Sequence, residues 1–221
     1  MFMKAVFIEA RKKVEINEEK IRIISKLLPL TVGLITTVQY AHLLNKIKNI
    51  LEKNGKKVFI SKGKLMKYPG QIIGCDIGAA KSIENNVEAF LFIGSGEFHI
   101  EPLILLGKRV FVYSLEENKL KEIDKKEAVN IANRKKAALM KVLAADCVGI
   151  IVSVKPGQQN LKSALLLKKK LEKMGKKTFV FITDNIRIEE LENFKCGAWI
   201  NTSCQALNME PKILNICDLK L

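Results

Sequence analysis

Cys75 is the residue around which reactive chemistry is most readily built. It stands in Tyr68-Pro69-Gly70-Gln71-Ile72-Ile73-Gly74-Cys75-Asp76-Ile77-Gly78-Ala79-Ala80, a stretch uncharged apart from Asp76. Gly70, Gly74 and Gly78 allow turns that a side chain would forbid, and they let a ligand approach the backbone. The sulfur is therefore expected on a loop rather than inside a strand. Asp76 is placed to cap a helix through Gly78 to Ala80, which would aim backbone N–H groups back toward the sulfur. Such a setting favours the thiolate, the form that ligates metal or reacts. The plainer reading is a small buried hydrophobe in a tight turn.

Other candidates are scattered along the chain. Cys204 stands in Ser203-Cys204-Gln205-Ala206, and Cys147, Cys196 and Cys217 complete a set of five. An odd number at wide spacings makes no disulfide framework, so the cysteines read as structural thiols or metal ligands. Cys147 precedes an apolar strand and Cys196 precedes Gly197-Ala198-Trp199-Ile200, positions that suit packing. Cys217 is the least constrained. Gly94-Ser95-Gly96 follows a strand pattern, and its N–H groups would cradle a carboxylate or a sulfonium-bearing ligand; alternatively it is a simple turn. Gln39, Gln71 and Gln158 at strand ends offer an amide shell for an amino-acid moiety, or ordinary loop hydrogen bonds. His42 reads as a helix filler, His99 has no assigned chemistry, and Trp199 reads as core.

The elements that must position these residues follow from periodicity. Ala5 to Glu9 reads as a strand and Glu18 to Leu28 as a helix. Val32 to Thr37 is a buried strand, followed by a helix with Ala41, Leu44, Ile47 and Leu51 on one face. Gly55 ends that helix, and Lys57 to Ile60 begins the next strand. Ala89 to Ile93 and Arg109 to Tyr113 are further strands. Asp124-Lys125-Lys126-Glu127 opens a helix with Ala128, Ile131, Ala138 and Val142 inward. The pattern then repeats. Val148 to Ser153 mirrors Val32 to Thr37, and Leu171-Glu172-Lys173-Met174-Gly175-Lys176-Lys177 mirrors Leu51-Glu52-Lys53-Asn54-Gly55-Lys56-Lys57. The order predicts an α/β fold of two duplicated βαβ-type units with parallel sheets. Cys75 and Cys204 are expected in equivalent loops of the two units, beyond the carboxyl ends of the strands.

Composition narrows the function classes. The chain of 221 residues is 48% hydrophobic, enough for one large or two small cores. Its longest apolar run, near Leu27 to Ile35, is broken by Pro29 and is too short to span a bilayer. No signal-peptide pattern opens the sequence, so a cytoplasmic protein without membrane attachment is expected. The net charge of +15 bears on association rather than fold. Its lysines punctuate helix ends instead of gathering with aromatics, and no dedicated nucleic-acid motif appears. An acidic or ribosome-associated partner fits the charge, and a Lys- and Ile-rich composition fits a thermophile.

Four motifs in one order carry a family resemblance: Thr36-Thr37-Val38-Gln39, Pro69-Gly70-Gln71-Ile72-Ile73-Gly74-Cys75, Gly94-Ser95-Gly96-Glu97-Phe98-His99 and Ser153-Val154-Lys155-Pro156-Gly157-Gln158. Together they resemble the diphthamide synthase family, the 2-(3-amino-3-carboxypropyl)histidine synthases. The resemblance implies three similar α/β domains, each lending one cysteine to a [4Fe–4S] cluster. It also implies reductive cleavage of S-adenosylmethionine and transfer of its 3-amino-3-carboxypropyl group to a histidine of elongation factor 2. The match covers the family's second and third domains, so the chain is expected to be a truncated form. Residues 1–30 would be a remnant strand and linking helix, 31–123 the middle domain and 124–221 the last.

Cys75 and Cys204 resemble two of the iron ligands, although the family's usual Ala-Cys-Pro-Arg is here Ser203-Cys204-Gln205-Ala206. The third ligand would come from Cys147, Cys196, Cys217 or a partner chain. The resemblance gives His99 weight and makes Gln39, Gly70, Gln71, Gly74, Gly94, Ser95, Gly96, His99 and Gln158 the candidate cofactor-binding set. The partners it suggests are a second copy, a full-length homologue or elongation factor 2. Two other functions remain open: a non-catalytic subunit that binds a full-length homologue, and a basic ribosome- or RNA-associated protein.

Overall fold

The side-chain oxygen of Asn17 accepts the Lys20 N–H at 3.0 Å and so starts α1 (Glu18–Ser25), with Glu18 and Glu19 in the first turn where the helix dipole favours acids. Then follow β1 (Thr31–Thr36), α2 (Leu44–Lys53), β2 (Lys57–Phe59), α3 (Gly78–Lys81), β3 (Ala89–Ile93), α4 (Glu101–Ile104), β4 (Arg109–Ser114) and β5 (Lys119–Glu122). The long helix α5 (Lys125–Ala144) leads to β6 (Cys147–Ser153), α6 (Leu161–Lys173), β7 (Lys177–Thr183), α7 (Ile188–Leu191), β8 (Ala198–Asn201) and β9 (Ile213–Asn215). The structure, a computed structural model, describes residues 8–64, 66–95, 99–185, 187–204 and 213–219. The chain divides into two compact units, Met1–Val129 and Asn130–Leu221.

The first unit holds a five-stranded sheet in the order β2-β1-β3-β4-β5, and the second a four-stranded sheet in the order β7-β6-β8-β9. Strands one to four of each unit are parallel and identically ordered. The α/β duplication expected from sequence is thus present in topology as well as in residues. The repeated Leu-Glu-Lys-x-Gly-Lys-Lys segment explains itself. In the first copy Lys56 N–H donates to Leu51 O at 3.1 Å and Gly55 N–H to Glu52 O at 3.0 Å. In the second, Lys176 N–H donates to Leu171 O at 3.1 Å and Gly175 N–H to Glu172 O at 2.9 Å. These are the paired bonds of a Schellman C-cap, with Gly55 and Gly175 at φ +80° and +81°. The lysine after each glycine reaches the end of the preceding linking helix: Lys56 Nζ bonds Leu28 O, and Lys176 Nζ bonds Leu143 O and Ala145 O.

The central strands β1 and β3 are buried on both faces, which is why they read as continuous apolar runs. Leu34, Leu91 and Ile93 pack under α1 and α2 with Ile21, Ile47 and Leu51. In the second unit Val148, Ile150 and Val152 pack with Ala138, Val142 and Leu167. Trp199, only 4% exposed, lies in a smaller cluster with Ile151 and Ile213. Among the described residues no helix is long and apolar enough to cross a membrane.

Four expectations are corrected. The first sheet is not wholly parallel, because β5 runs antiparallel to β4. The four residues between them include Asn118 at φ +51° and suffice for a hairpin but not a crossover. Ile8 and Glu9 carry no strand, and the remainder of the expected strand, Ala5 to Phe7, lies outside the described residues. Asp76 does not cap α3 directly: Ile77 occupies that position, and Asp76 Oδ1 accepts the Gly78 N–H at 2.7 Å. The two cysteine loops are not equivalent. Cys75 lies between the second and third strands of its unit, whereas Cys204 follows the third strand of the other. The residue repeat covers only the leading strand–helix–strand, and the longer connection after β2 belongs to the first unit alone.

Candidate functional site

The Cys75 stretch is tied to the end of β1. Pro69 and Gly70 form the centre of a turn closed by Gln71 N–H to Tyr68 O at 3.2 Å, with Gly70 at φ +71°, a type II pattern. Gln71 is buried, and its amide oxygen accepts the Tyr68 N–H at 3.1 Å, so this side chain fastens the turn. The segment then pairs in parallel with β1 at its last residue, Thr36. Thr36 N–H donates to Gly70 O and Ile72 N–H to Thr36 O, both at 2.8 Å, while Thr36 Oγ1 bonds Ile93 O at 2.7 Å.

Ile73 and Asp76 next exchange backbone bonds at 3.0 and 3.1 Å, which leaves Gly74 and Cys75 as a two-residue tip. Cys75 is exposed there. The helix that follows is a single turn of four residues, too short for a macrodipole of the kind expected to favour the thiolate. Access to the sulfur comes instead from the geometry of the turn.

Past the end of β1, Gln39 Oε1 accepts the Thr37 hydroxyl at 3.0 Å, and Gln39 O accepts the Lys12 N–H at 3.1 Å. At the end of β3 the Gly94 N–H is already bonded to Tyr113 O at 3.1 Å, so it is not available to cradle an anion as expected. Ser95 is exposed and Gly96 lies outside the described residues. Gly94 and Ser95 border a pocket of about 330 Å³ with Ile100, Ser114, Glu117 and Lys119. His99 is half-buried, and burial lowers its pKa, so the neutral imidazole is favoured near neutral pH.

In the second unit the loop after β8 is locked by polar groups that sequence reasoning did not single out. Asn201, Thr202 and Asn215 are buried. Asn201 Nδ2 donates to Cys204 O and to Asn215 Oδ1, both at 2.7 Å, and Asn201 Oδ1 accepts the Ser203 N–H at 2.9 Å. Ser203 Oγ accepts the Ser153 N–H at 2.8 Å, joining this loop to the end of β6. Cys204 is half-buried beside that network, while Gln205 and Ala206 lie outside the described residues. Lys155, Pro156, Gly157 and Gln158 make a second Pro-Gly-Gln turn, with Gly157 at φ +77° and Gln158 N–H to Lys155 O at 3.0 Å. A signal for the locked loop was the polar run Asn201-Thr202-Ser203 directly after an apolar strand.

A charged clamp holds the base of the Cys75 stretch. Glu9 accepts from Lys67 Nζ at 2.6 Å and from Tyr68 Oη at 2.7 Å, and Arg11 bonds the same hydroxyl at 2.8 Å. The Lys67 hydrogen bond first, then that of Tyr68, hold the Glu9 carboxyl at about 2 against an ordinary 4.5. A depressed carboxylate contributes stability above its unfolded pKa and loses it as pH falls through the folded one. Hydrogen exchange over residues 68–76 is therefore expected to accelerate as pH falls from 4.5 toward 2, after correction for intrinsic rates. Glu9→Gln should remove that local dependence. An unchanged profile in the variant would assign it to other carboxylates, such as Glu116 beside Lys12, whose pKa is also lowered.

Soft thiolates are suitable iron ligands, and exposed Cys75 and half-buried Cys204 fit that chemistry. Among the described residues, however, no group of three or more His, Cys, Asp or Glu side chains is gathered to hold a metal ion. A cubane with one open iron needs three thiolates, so the described residues of neither unit gather such a site. Cys147 and Cys196, with sulfurs 3.3 Å apart, are too close to serve two corners whose outer bonds diverge. Cys217 has its pKa raised, by local desolvation first and by the Asp218 carboxylate next.

The family profile for diphthamide synthesis proteins matches residues 2–212. The chain is 30% identical over 177 residues to the 2-(3-amino-3-carboxypropyl)histidine synthase of Pyrococcus horikoshii, covering 79% of this chain and 50% of that protein. It is 27% identical over 187 residues to subunit 1 of the synthase from Schizosaccharomyces pombe, covering 80% of this chain and 42% of the relative. The crystal structure of Dph2 from Pyrococcus horikoshii with a 4Fe-4S cluster superposes with a TM-score of 0.77 at 30% identity, over 89% of this chain and 59% of that one. A second crystal structure of the same protein gives a TM-score of 0.79, over 93% and 61%. The chain thus spans about half the length of the curated relatives it matches.

Proposed function

The chain belongs to the diphthamide synthesis protein family, and from that premise we propose that it serves 3-amino-3-carboxypropyl transfer to a histidine of elongation factor 2, as a subunit that lends Cys75 and Cys204 to a [4Fe–4S] cluster completed by a second chain. The observation that carries this reading is the tethering of Cys75: an exposed thiol on a two-residue tip, fastened by the Gly70 and Ile72 bonds to the carboxyl end of β1. When bound, the cluster would supply the electron for reductive cleavage of S-adenosylmethionine.

The chain's own residues do the holding. Gly70, Gln71 and Gly74 position the Cys75 thiol, and the Asn201 amide positions the Cys204 backbone. Within the first unit, Gln39, Gly94, Ser95 and His99 are the residues offered to the amino-acid part of the substrate, and Gln158 is the second unit's candidate. The second chain is a further copy or a longer homologue. One candidate iron ligand per unit, Cys75 and Cys204, with no third donor gathered among the described residues, favours such an assembly over a self-sufficient enzyme.

Anaerobic reconstitution of the whole chain at increasing protein concentration tests this, with iron, acid-labile sulfide and oligomeric state measured together. Iron retention is expected to rise with association. Absence of bound iron in every associated form, including a complex with a full-length homologue whose own cluster cysteines are replaced, would overturn the cluster assignment and leave a non-catalytic subunit.

A further inference from the structure

The second sheet places two thiols together that the first does not. β6 and β8 pair in parallel from Val148↔Ala198 to Ile151↔Asn201, and Gly197 N–H donates to Cys147 O at 2.9 Å. This register brings Cys147 and Cys196, 49 residues apart, to an Sγ···Sγ distance of 3.3 Å. Both are half-buried, and Cys196 packs against the cluster of Ile151, Trp199 and Ile213. The pair sits at the amino ends of its strands. Cys204 lies past the carboxyl end of β8, across a strand of four residues, or roughly 13 Å.

We propose that Cys147 and Cys196 are a redox-active dithiol that closes to an intramolecular disulfide, a covalent modification site separate from the cysteines offered to iron. At 3.3 Å the sulfurs have about 1.3 Å to close to reach a bond of ~2.05 Å. Side-chain rotation can supply that while the backbone pairing holds the register. The oxidant is a low-molecular-weight disulfide of the glutathione class. Burial first and the neighbouring Cys147 next push the Cys196 thiol up to about 12, so Cys196 is the poorer first nucleophile.

Cys147 therefore releases its proton to solvent and attacks one sulfur of the oxidant, forming a mixed disulfide and expelling one thiolate. The Cys147 thiol that helped to raise the Cys196 pKa is then gone. Cys196 gives its proton to solvent and attacks the Cys147 sulfur, expelling the second thiolate. Two protein thiols are oxidised, one small disulfide is reduced to two thiols, and no further co-reactant is needed.

The test equilibrates the anaerobic full chain across oxidised-to-reduced glutathione ratios, followed by acid quench, alkylation and peptide mass spectrometry. A Cys147–Cys196 cross-link is expected, reversible by dithiothreitol, also when Cys75, Cys204 and Cys217 are all replaced by serine. Closing so long a loop should raise Tm by roughly 5–15 °C, and the Cys147→Ser/Cys196→Ser double variant should lose that oxidant-dependent rise. Alkylation of both cysteines at ratios where exposed Cys75 is already glutathionylated would overturn the proposal. Cross-links to other partners, or a rise that survives in the double variant, would do the same.

Discussion

Cys75→Ser is expected to reduce iron retention from stoichiometric to background in the reconstituted, associated protein while leaving the fold intact. Serine keeps the shape of the tip but offers a hydroxyl that stays protonated, where iron needs a thiolate. Cys75 is exposed at the end of a turn held by backbone bonds of Ile73 and Asp76. Its replacement should therefore shift stability by no more than about 0.5 kcal/mol, as for surface positions generally. Cys204→Ser should lower iron content less completely, because the Asn201 amide fixes the Cys204 backbone whatever the side chain.

Cys147→Ser and Cys196→Ser should retain iron, since those sulfurs face each other. Visible absorbance, iron and sulfide analysis, and a urea melt of each variant give the readout. Equal loss in all four, with lowered melts, would indicate unfolding rather than ligation. Full iron retention in Cys75→Ser would remove the main support for a cluster on this chain.

The duplicated fold was legible because its most informative segment does local work. The glycines at 55 and 175 and the lysines at 56 and 176 make the same C-cap and the same reach to a preceding helix in both units, so identical physics left nearly identical residues. The loops did not follow. After the first strand–helix–strand the two units diverge, and residue order alone aligned Cys75 with Cys204 although they occupy different connections. Strand β5 escaped notice because Lys119-Leu120-Lys121-Glu122 is mostly charged and lies at an edge where one face meets solvent. The Cys147–Cys196 contact joins residues 49 apart and depends on strand register, which periodicity does not encode. The loop carrying Cys204 rests on buried Asn201 and Asn215, 14 apart, for the same reason. Local chemistry was readable at Pro69-Gly70-Gln71, where turn preferences are intrinsic to the residues.

That turn gives the largest expected effect away from a ligand. Gly70 sits at φ +71°, and an added Cβ would stand 2.4 Å from Leu44 Cδ1 and 3.0 Å from Leu34 O. The left-handed conformation costs alanine roughly 1–2 kcal/mol, and overpacking adds roughly 1–3 kcal/mol. Leu34 O belongs to the backbone of β1 where that strand is fully buried and cannot give way, so the turn must move. Gly70→Ala is thus expected to cost about 2–5 kcal/mol in a urea melt. It should also weaken the Thr36–Gly70 and Ile72–Thr36 backbone bonds, seen as faster hydrogen exchange at Thr36 and Ile72. Because those bonds tether the Cys75 tip, iron retention should fall although every cysteine remains. Gly107→Ala is the matched control: its φ of +73° is nearly the same, but nothing lies within 4 Å of the added Cβ. It should incur only the conformational cost and keep both the exchange pattern and the iron. Identical behaviour of the two variants would mean that the Gly70 contact does not position the cysteine, and that Cys75 owes its place to something other than the tether on β1.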